Sequence, residues 1–256
     1  MIALAIPFGI GIGLVVGAVG GGGAILALPV LVYVLDEGVG AATTASLVVV
    51  AVAAAFGGGS LAREGRVDWP SAAVFALPAA AGALAGTQLS AEVGPREQII
   101  AFVPVMLVAA AGLLWRVAAD PDEDPERERP PLLASGTVGL AVGLLTGFFG
   151  VGGGFLIVPA LTFLGLELHR AVATSLTIIA LTGTVALAGH LADGAQPNWT
   201  LTVVLSVATG LGAIAGARAG SRLPADSLAR GFAGLIVAVA AFLLVDVVAL
   251  GGPPTA

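Results

Sequence analysis

The sequence predicts an all-α membrane protein built from two repeats of inverted topology, and three observations lead to this fold class. The 256 residues are 58% hydrophobic and only 10% charged, with a mean hydropathy of +1.06. Apolar runs of roughly 20 residues, the length that crosses a hydrocarbon core of about 30 Å, recur along the chain. The second half of the chain also repeats the first, and the arginines follow a topology that inverts the two halves.

The two halves are related by a constant offset of 130 residues. Among the positions that return, Gly13, Leu14, Gly17, Gly20, Gly22, Gly23, Pro29, Leu31, Thr44 and Trp69 match Gly143, Leu144, Gly147, Gly150, Gly152, Gly153, Pro159, Leu161, Thr174 and Trp199. An ungapped match that includes tryptophan and proline does not arise easily by chance. We therefore divide the chain into a first half at residues 1–118, a charged linker at 119–131 and a second half at 132–256, which form one transport domain.

Each half contains five apolar segments in the same order. They are residues 3–19, 24–35, 40–61, 70–89 and 98–115 in the first half, and 132–149, 155–166, 171–191, 200–217 and 231–250 in the second. The second segment of each half has about 12 residues, and a helix of that length rises only about 18 Å, too little to cross a bilayer. Because a glycine cluster precedes each short segment, we expect a broken-helix hairpin there, followed by three transmembrane helices.

The arginines decide between two topologies, because positive charge favours the cytoplasmic side. If each hairpin makes an even number of crossings, nine arginines share one side, namely Arg63, Arg66, Arg116, Arg127, Arg129, Arg170, Arg218, Arg222 and Arg230. Only Arg96 then lies opposite, whereas a single crossing divides the arginines equally. The first topology places the linker in the cytoplasm and both termini on the outer side of the cell membrane. It inverts the second half, and it leaves open whether the hairpins cross fully or are re-entrant.

The interrupted helices indicate where a solute would bind, since transporters with inverted repeats hold their substrate near the midplane. A helix that begins after a glycine turn presents unpaired backbone N–H groups and the positive end of its dipole, which suits a small anion. We expect the two turns to meet near the middle of the bilayer. The predicted substrate-binding residues are Gly20, Gly21, Gly22, Gly23, Thr44, Ser46, Gly150, Gly152, Gly153, Gly154, Thr174 and Ser175.

These residues also have a packing interpretation. Glycines in membrane helices often serve only close helix packing, and we favour that role for Gly82 with Gly86 and for Gly212 with Gly216. Serine and threonine in apolar helices usually form hydrogen bonds with their own helix. The binding role of the glycine clusters and hydroxyl groups is therefore a hypothesis that competes with packing.

Nothing in the sequence supports an enzyme, a cofactor or a metal site. The chain has no cysteine, its glycine clusters lack the Lys-Ser/Thr of a nucleotide loop, and it has no HExxH motif. Ser60 and His190 are related by the repeat offset, so inversion places them near opposite faces and excludes a catalytic dyad. The partners that we expect are the lipid bilayer and the anion, without nucleic acid. A coupling ion and a homo-oligomer are left open.

Four stretches follow the pattern of a known family. They are GLVVGAVGGGGAILALPVLV from Gly13, GLLTGFFGVGGGFLIVPALTFLGL from Gly143, AVATSL from Ala171 and GRVDW around Trp69. On these stretches the chain resembles the TauE/SafE family of sulfite exporters, over nearly its whole length. The resemblance implies transport of a sulfur-containing anion such as sulfite, thiosulfate or a small organosulfonate, often by export. The alternatives are a passive anion channel and, third, a membrane scaffold without a substrate.

Overall fold

The computed structural model describes residues 2–90, 93, 95–119, 132–149, 154–192 and 197–245. The helices are α1 (Ile2–Val19), α2 (Gly23–Pro29), α3 (Val39–Arg63), α4 (Trp69–Ser90), α5 (Pro95–Ala119), α6 (Leu132–Phe149), α7 (Gly154–Phe163), α8 (Leu168–Ala192), α9 (Trp199–Gly220) and α10 (Ala225–Val245). The five segments predicted for each half all form helices, in the predicted order. The all-helical class is thereby confirmed over the described residues.

Several of these helices are suited to a bilayer by length and composition. Within the described ranges, four apolar stretches are long enough to cross it, namely Ala41–Arg63, Trp69–Leu89, Trp199–Gly220 and Ala225–Val245. They belong to α3 and α4 of the first half and to α9 and α10 of the second. Shorter apolar helices occupy Leu4–Val19, Ile25–Val34, Ile100–Trp115, Leu133–Phe149 and Gly154–Phe163. The architecture is that of a multi-pass membrane protein.

The chain reverses direction between α1 and α2, as the glycine cluster predicts. Gly20 and Gly21 have φ angles of +79° and +155°, a region that residues with a Cβ atom rarely adopt. Gly23 then lies against α1, where an added Cβ would be 3.1 Å from the carbonyl oxygen of Ile12. The corresponding reversal predicted for the second half involves residues 150–153. The predicted site residues Gly150, Gly152 and Gly153 therefore lie outside the described residues.

The first short helix changes its winding after Pro29. The segment Val30–Val34 is a π-helix, and the N–H of Leu35 donates to the carbonyl oxygen of Val30 at 3.0 Å, five residues back. Proline has no backbone N–H, and its ring clashes with the carbonyl group four residues earlier, so the regular α-helical hydrogen bonding is interrupted there. The predicted half-helix at residues 24–35 is thus present, but its second part is π-helical rather than α-helical.

Glycines bring two pairs of helices into close backbone contact. Helix α1 packs against α9, and α4 packs against α6. A Cβ atom added to any of eight glycines would overlap a backbone carbonyl oxygen of the facing helix. These glycines are Gly13, Gly17, Gly82, Gly86, Gly143, Gly147, Gly212 and Gly216. The packing interpretation of the two GxxxG pairs is confirmed, since only glycine permits this approach.

Helix α7 lies in the interior of the bundle. Its residues from Gly154 to Thr162 are all buried. It packs against α5 and α8, and the rings of Phe155 and Phe102 meet edge to face with their centroids 5.4 Å apart. Helix α8 in turn packs along α3, and this contact joins the two halves of the chain. The start of the second broken helix is therefore fixed inside the protein by packing on several sides.

Three loops meet at one end of the bundle, which we call the arginine end. The loops are residues 64–68, 164–167 and 221–224. The N–H of Asp68 donates to Thr174 Oγ1 at 3.0 Å, and the carboxylate of Asp68 lies 3.5 Å from the guanidinium of Arg170. His169 Nε2 lies 3.0 Å from the carbonyl oxygen of Leu223. The described arginines of these loops and adjoining helix ends are Arg63, Arg66, Arg170, Arg218, Arg222 and Arg230. Arginines of both halves therefore share one end of the bundle.

Candidate functional site

The glycine turn of the first half lies directly against the start of α7. Residues Gly20 to Gly23 are buried, and so is Gly154. A Cβ atom on Gly21 would overlap the backbone of Gly154, and a Cβ atom on Gly154 would lie 3.1 Å from the Cα of Gly21. The two broken helices thus meet inside the bundle. Their backbones are in contact at this point, so any space for a solute must open beside Gly154 rather than between these two glycines.

Ser175 connects the first glycine turn to α8. Its hydroxyl group donates to the carbonyl oxygen of Gly20 at 2.5 Å, with the carbonyl oxygen of Val172 as a second acceptor at 2.9 Å. A Cβ atom on Gly20 would lie 2.6 Å from Ser175 Oγ, so the contact also requires glycine at this position. Ser175 is fully buried. It holds the turn in its positive-φ conformation.

Thr174 and Thr44 are buried at matching positions of α8 and α3. The hydroxyl oxygen of Thr174 accepts the N–H of Asp68, the residue that immediately precedes α4. An unpaired buried N–H costs about 1–3 kcal/mol, so this bond stabilises the loop at the arginine end. Thr174 therefore has a structural contact that accounts for its burial.

A cavity of about 80 Å³ lies beside Gly154, between α3, α4, α6, α7 and α8. Its walls are Ser46, Leu47, Val50, Ala51, Ala79, Ala83, Val142, Gly143, Thr146, Gly154, Ile157, Ile179, Thr182 and Gly183. One water needs about 10–15 Å³ on this measure, so the space holds several waters or one small oxyanion. At about 1.5 Å per residue, the cavity walls of α4 and α8 lie about 15–22 Å from the arginine end. The cavity is therefore near the middle of these helices.

Three hydroxyl groups line the cavity. They donate to carbonyl oxygens of their own helices, Ser46 to Thr43 at 2.8 Å, Thr146 to Val142 at 2.7 Å and Thr182 to Ile178 at 2.9 Å. A hydroxyl proton reaches a new acceptor by rotation about its C–O bond. A neutral intramolecular hydrogen bond is worth only about 1 kcal/mol net, so exchanging the carbonyl for an anion costs little.

The first turn of α7 adds backbone donors at the same place. Gly154 is both the first residue of α7 and part of the cavity wall. The N–H groups of a helix's first turn have no carbonyl partner within the helix, and the helix dipole adds partial positive charge there. An anion beside Gly154 would therefore meet backbone N–H and hydroxyl donors.

No ionisable side chain belongs to the segments that form the cavity. Residues 39–62, 69–91, 132–166 and 171–189 contain no Asp, Glu, Lys, Arg or His. These ranges include all the residues that line the cavity, and they include residues 150–153 as well. The rest of the wall is aliphatic. Binding in the cavity must therefore rely on dipoles and shape rather than on a countercharge.

The structure brings two of the predicted binding residues, Ser46 and Gly154, to the cavity wall. The glycines at positions 20–23 form the adjoining turn, and Thr174 and Ser175 have the structural contacts described above. Their role in binding an anion stays a prediction. Sequence reasoning missed Thr146 and Thr182. Thr146 lies four residues before the glycine cluster of the second half, and this proximity was its one signal, because the repeat has Val16 at the matching position.

Comparison with known proteins gives a consistent result. The family model described as "Sulfite exporter TauE/SafE" matches residues 5–243. A "Probable membrane transporter protein" of Xylella fastidiosa (strain Temecula1) is 32% identical over 240 residues, which cover 91% of each chain. Another, from Xylella fastidiosa (strain 9a5c), is 31% identical over 244 residues, again 91% of each chain. The "Probable membrane transporter protein YunE" of Bacillus subtilis (strain 168) is 29% identical over 155 residues, 54% of this chain and 56% of that protein.

No solved structure matches the chain significantly. The family match spans both halves, and with them the glycine turn, the cavity and the arginine end. The relatives that align with nearly the whole chain are described as probable membrane transporters. This description agrees with a bundle of apolar helices that contains a cavity, and it implies transport rather than catalysis. The chain therefore belongs to the TauE/SafE family of sulfite exporters and is a multi-pass membrane transporter.

Proposed function

We propose that the protein is a secondary transporter for a small anion, with sulfite, thiosulfate and small organosulfonates as its substrate class. The observation that carries this proposal is the cavity beside Gly154, which is near mid-helix, has room for one oxyanion and offers hydroxyl and backbone donors. The sulfur chemistry rests on the family description alone. The anion is held by Ser46, Thr146, Thr182 and the first turn of α7.

The transport mechanism that we propose uses two inverted repeats, at residues 1–118 and 132–256. Each repeat is a broken-helix hairpin followed by three transmembrane helices. Paired contacts support this arrangement, because α1 packs against α9 as α6 packs against α4, and α2 packs against α3 as α7 packs against α8. Exchange of conformation between two like halves would open the cavity to each side of the membrane in turn.

The proposed orientation places the arginine end and the linker 119–131 in the cytoplasm and both termini outside. The contact between Asp68 and Arg170 supports an even number of crossings per hairpin, since an odd number would put these residues on opposite sides. The choice of the cytoplasmic side rests on the arginines at this end. The chain has no cysteine, so single substitutions can be labelled selectively. We expect a thiol reagent that cannot cross the membrane to label Ala256→Cys from outside and Ala119→Cys only after the membrane is opened. The reverse pattern would overturn the orientation.

The function is tested with purified protein in liposomes, using uptake of labelled sulfite with protein-free liposomes as the background. Saturable uptake is expected from a carrier. Unsaturated electrodiffusive current would instead favour the runner-up, a passive anion channel. Absence of flux for sulfite, thiosulfate and small sulfonates alike would refute both.

A matched pair of variants in α8 tests whether the cavity is the binding site. Thr182 lines the cavity, whereas Thr184 is exposed, and each donates a hydrogen bond to the carbonyl oxygen four residues earlier, at 2.9 Å and 2.7 Å. Thr182→Val removes one donor to the anion, worth roughly 1–1.5 kcal/mol, so uptake at low substrate should fall about fivefold to tenfold. Thr184→Val should transport like the unmodified protein. Equal effects of the two substitutions would exclude the cavity as the site.

A further inference from the structure

We infer that the cavity accepts its substrate only as a singly charged anion and excludes the doubly charged form. This inference rests on the proposed function, because it concerns the charge of the solute at the same site. It makes hydrogensulfite, rather than sulfite dianion, the species that is carried. Short alkanesulfonates, which keep a single charge at all physiological pH values, belong to the same class. Thiosulfate is a dianion at these pH values, so the inference removes it from the proposed substrate class.

The first step of the argument is the absence of a countercharge. No residue in the segments that contribute to the cavity has an ionisable side chain. This is also true of residues 150–153, which are three glycines and one valine. The charged groups of the arginine end, such as Arg170 and Asp68, lie about 13 Å or more from the cavity wall along α8 and α4. An anion in the cavity is therefore not neutralised by a cation beside it.

The second step is the cost of moving charge out of water. The desolvation energy of an ion rises with the square of its charge, so a dianion loses about four times as much as a monoanion of the same size. The helix dipole at the start of α7 supplies the equivalent of only about half a positive charge. The stabilisation by that partial charge and a few hydroxyl dipoles rises only in proportion to the charge of the ion. The fraction of the desolvation cost that it offsets is therefore half as large for two negative charges as for one.

The third step is the limited number of donors in the wall. Ser46, Thr146 and Thr182 each have one hydroxyl proton, and the surrounding wall consists of aliphatic side chains such as Val142, Ile157 and Ile179 in van der Waals contact with the space. A dianionic oxyanion keeps more hydrogen-bond acceptors strongly hydrated than these donors can replace. A singly charged anion with a proton or a methyl group needs fewer donors, and the apolar group suits the aliphatic wall.

The test compares two anions of nearly equal size that differ in charge. Methanesulfonate has one charge at all pH values used, whereas methylphosphonate passes from one charge to two near neutral pH. Uptake of each is measured with the reconstituted full-length protein at mildly acidic and mildly alkaline pH, with sulfite as a third substrate. Protein-free liposomes correct for the leak of neutral forms such as sulfur dioxide.

We expect methanesulfonate uptake to change less than about twofold with pH, while methylphosphonate and sulfite uptake fall about tenfold as their dianions form. Uptake of dianionic methylphosphonate at the rate of methanesulfonate would overturn the charge inference and leave the transport function intact. Failure of all three anions to enter above background would reject the proposed function and, with it, the inference. A decline of methanesulfonate uptake parallel to that of methylphosphonate would attribute the pH effect to the protein and also overturn the inference.

Discussion

At the scale of single residues, Gly21 combines two requirements that no other residue type meets. Its φ of +155° is unfavourable for a residue with a Cβ, and the Cβ would overlap the backbone of Gly154. The neighbouring Gly20 is held by Ser175 through its carbonyl oxygen. The turn and the start of α7 are therefore fixed relative to each other by backbone contact. The position of Gly154 beside the cavity depends on that contact.

Replacement of Gly21 by alanine should disrupt this contact and destabilise the protein. We expect Gly21→Ala to lower the free energy of unfolding by about 2 kcal/mol or more, from backbone strain and overpacking together. Gly59→Ala is the matched control, because Gly59 lies inside α3 and nothing lies within 4 Å of an added Cβ. That control should be neutral or slightly stabilising. Thermal unfolding of the two variants in detergent is the measurement, and equal stabilities would disprove the contact between the first turn and the start of α7.

The glycines of the first turn were easier to predict than the hydroxyl groups of the site. A repeated glycine cluster before a short apolar segment has few structural explanations, so the turn was identified correctly. Thr146 and Thr182 were missed because Val16 and Val52 occupy the matching positions of the first half, and the repeat therefore gives no signal. Which hydroxyl faces a cavity depends on the rotation of its helix. That rotation is set by packing contacts that a periodicity argument does not provide in a helix buried on several sides.

At the scale of helices, the sequence was sufficient to predict the position of each helix. It was not sufficient to predict whether the two short segments that contain Pro29 and Pro159 are α-helical or π-helical. Apolar runs, glycines and charges determine where helices begin and end, and these signals were present throughout. Pro29 and Pro159 occupy matching positions, yet a π-helix follows the first while α7 remains α-helical around the second. The response of a short helix to proline depends on its neighbours, so a local sequence pattern cannot decide it.

The close contact of α4 with α6 gives a prediction at this scale. A Cβ on Gly147 would overlap the carbonyl oxygen of Ala83, so Gly147→Ala should force the two helices apart and cost about 1–3 kcal/mol of stability. Gly136→Ala, in the same helix, is the control, because its Cβ would meet only Pro78 at 3.8 Å, an ordinary contact. Unfolding of both variants in detergent would measure the difference. A Gly147→Ala protein as stable as the control would show that α4 and α6 tolerate a wider separation.

At the scale of the whole molecule, the two halves resemble each other in packing more than in polarity. The glycine contacts of α1 with α9 are matched by those of α6 with α4. The cavity is not matched in this way, because the residues equivalent to Thr146, Thr182 and Ser46 are Val16, Val52 and Leu176. The equivalent position in the other half would lack these hydroxyl groups and would instead have those of Thr177 and Thr209, which match the wall residues Leu47 and Ala79. The repeat therefore predicted the scaffold, while the proposed binding site depends on residues at which the two halves differ.

A carrier whose cavity has no titratable group should move one net charge with each singly charged anion. With methanesulfonate as substrate, a membrane potential that is positive inside the liposome should drive accumulation, whereas a pH gradient at clamped potential should have no effect. One charge across 100 mV is worth about 2.3 kcal/mol, which corresponds to an accumulation of roughly 50-fold at equilibrium. Potassium gradients with valinomycin set the potential for this measurement. Accumulation that follows the pH gradient instead would require a proton to accompany the anion. Because the cavity segments contain no Asp, Glu or His, that proton would have to cross by another route.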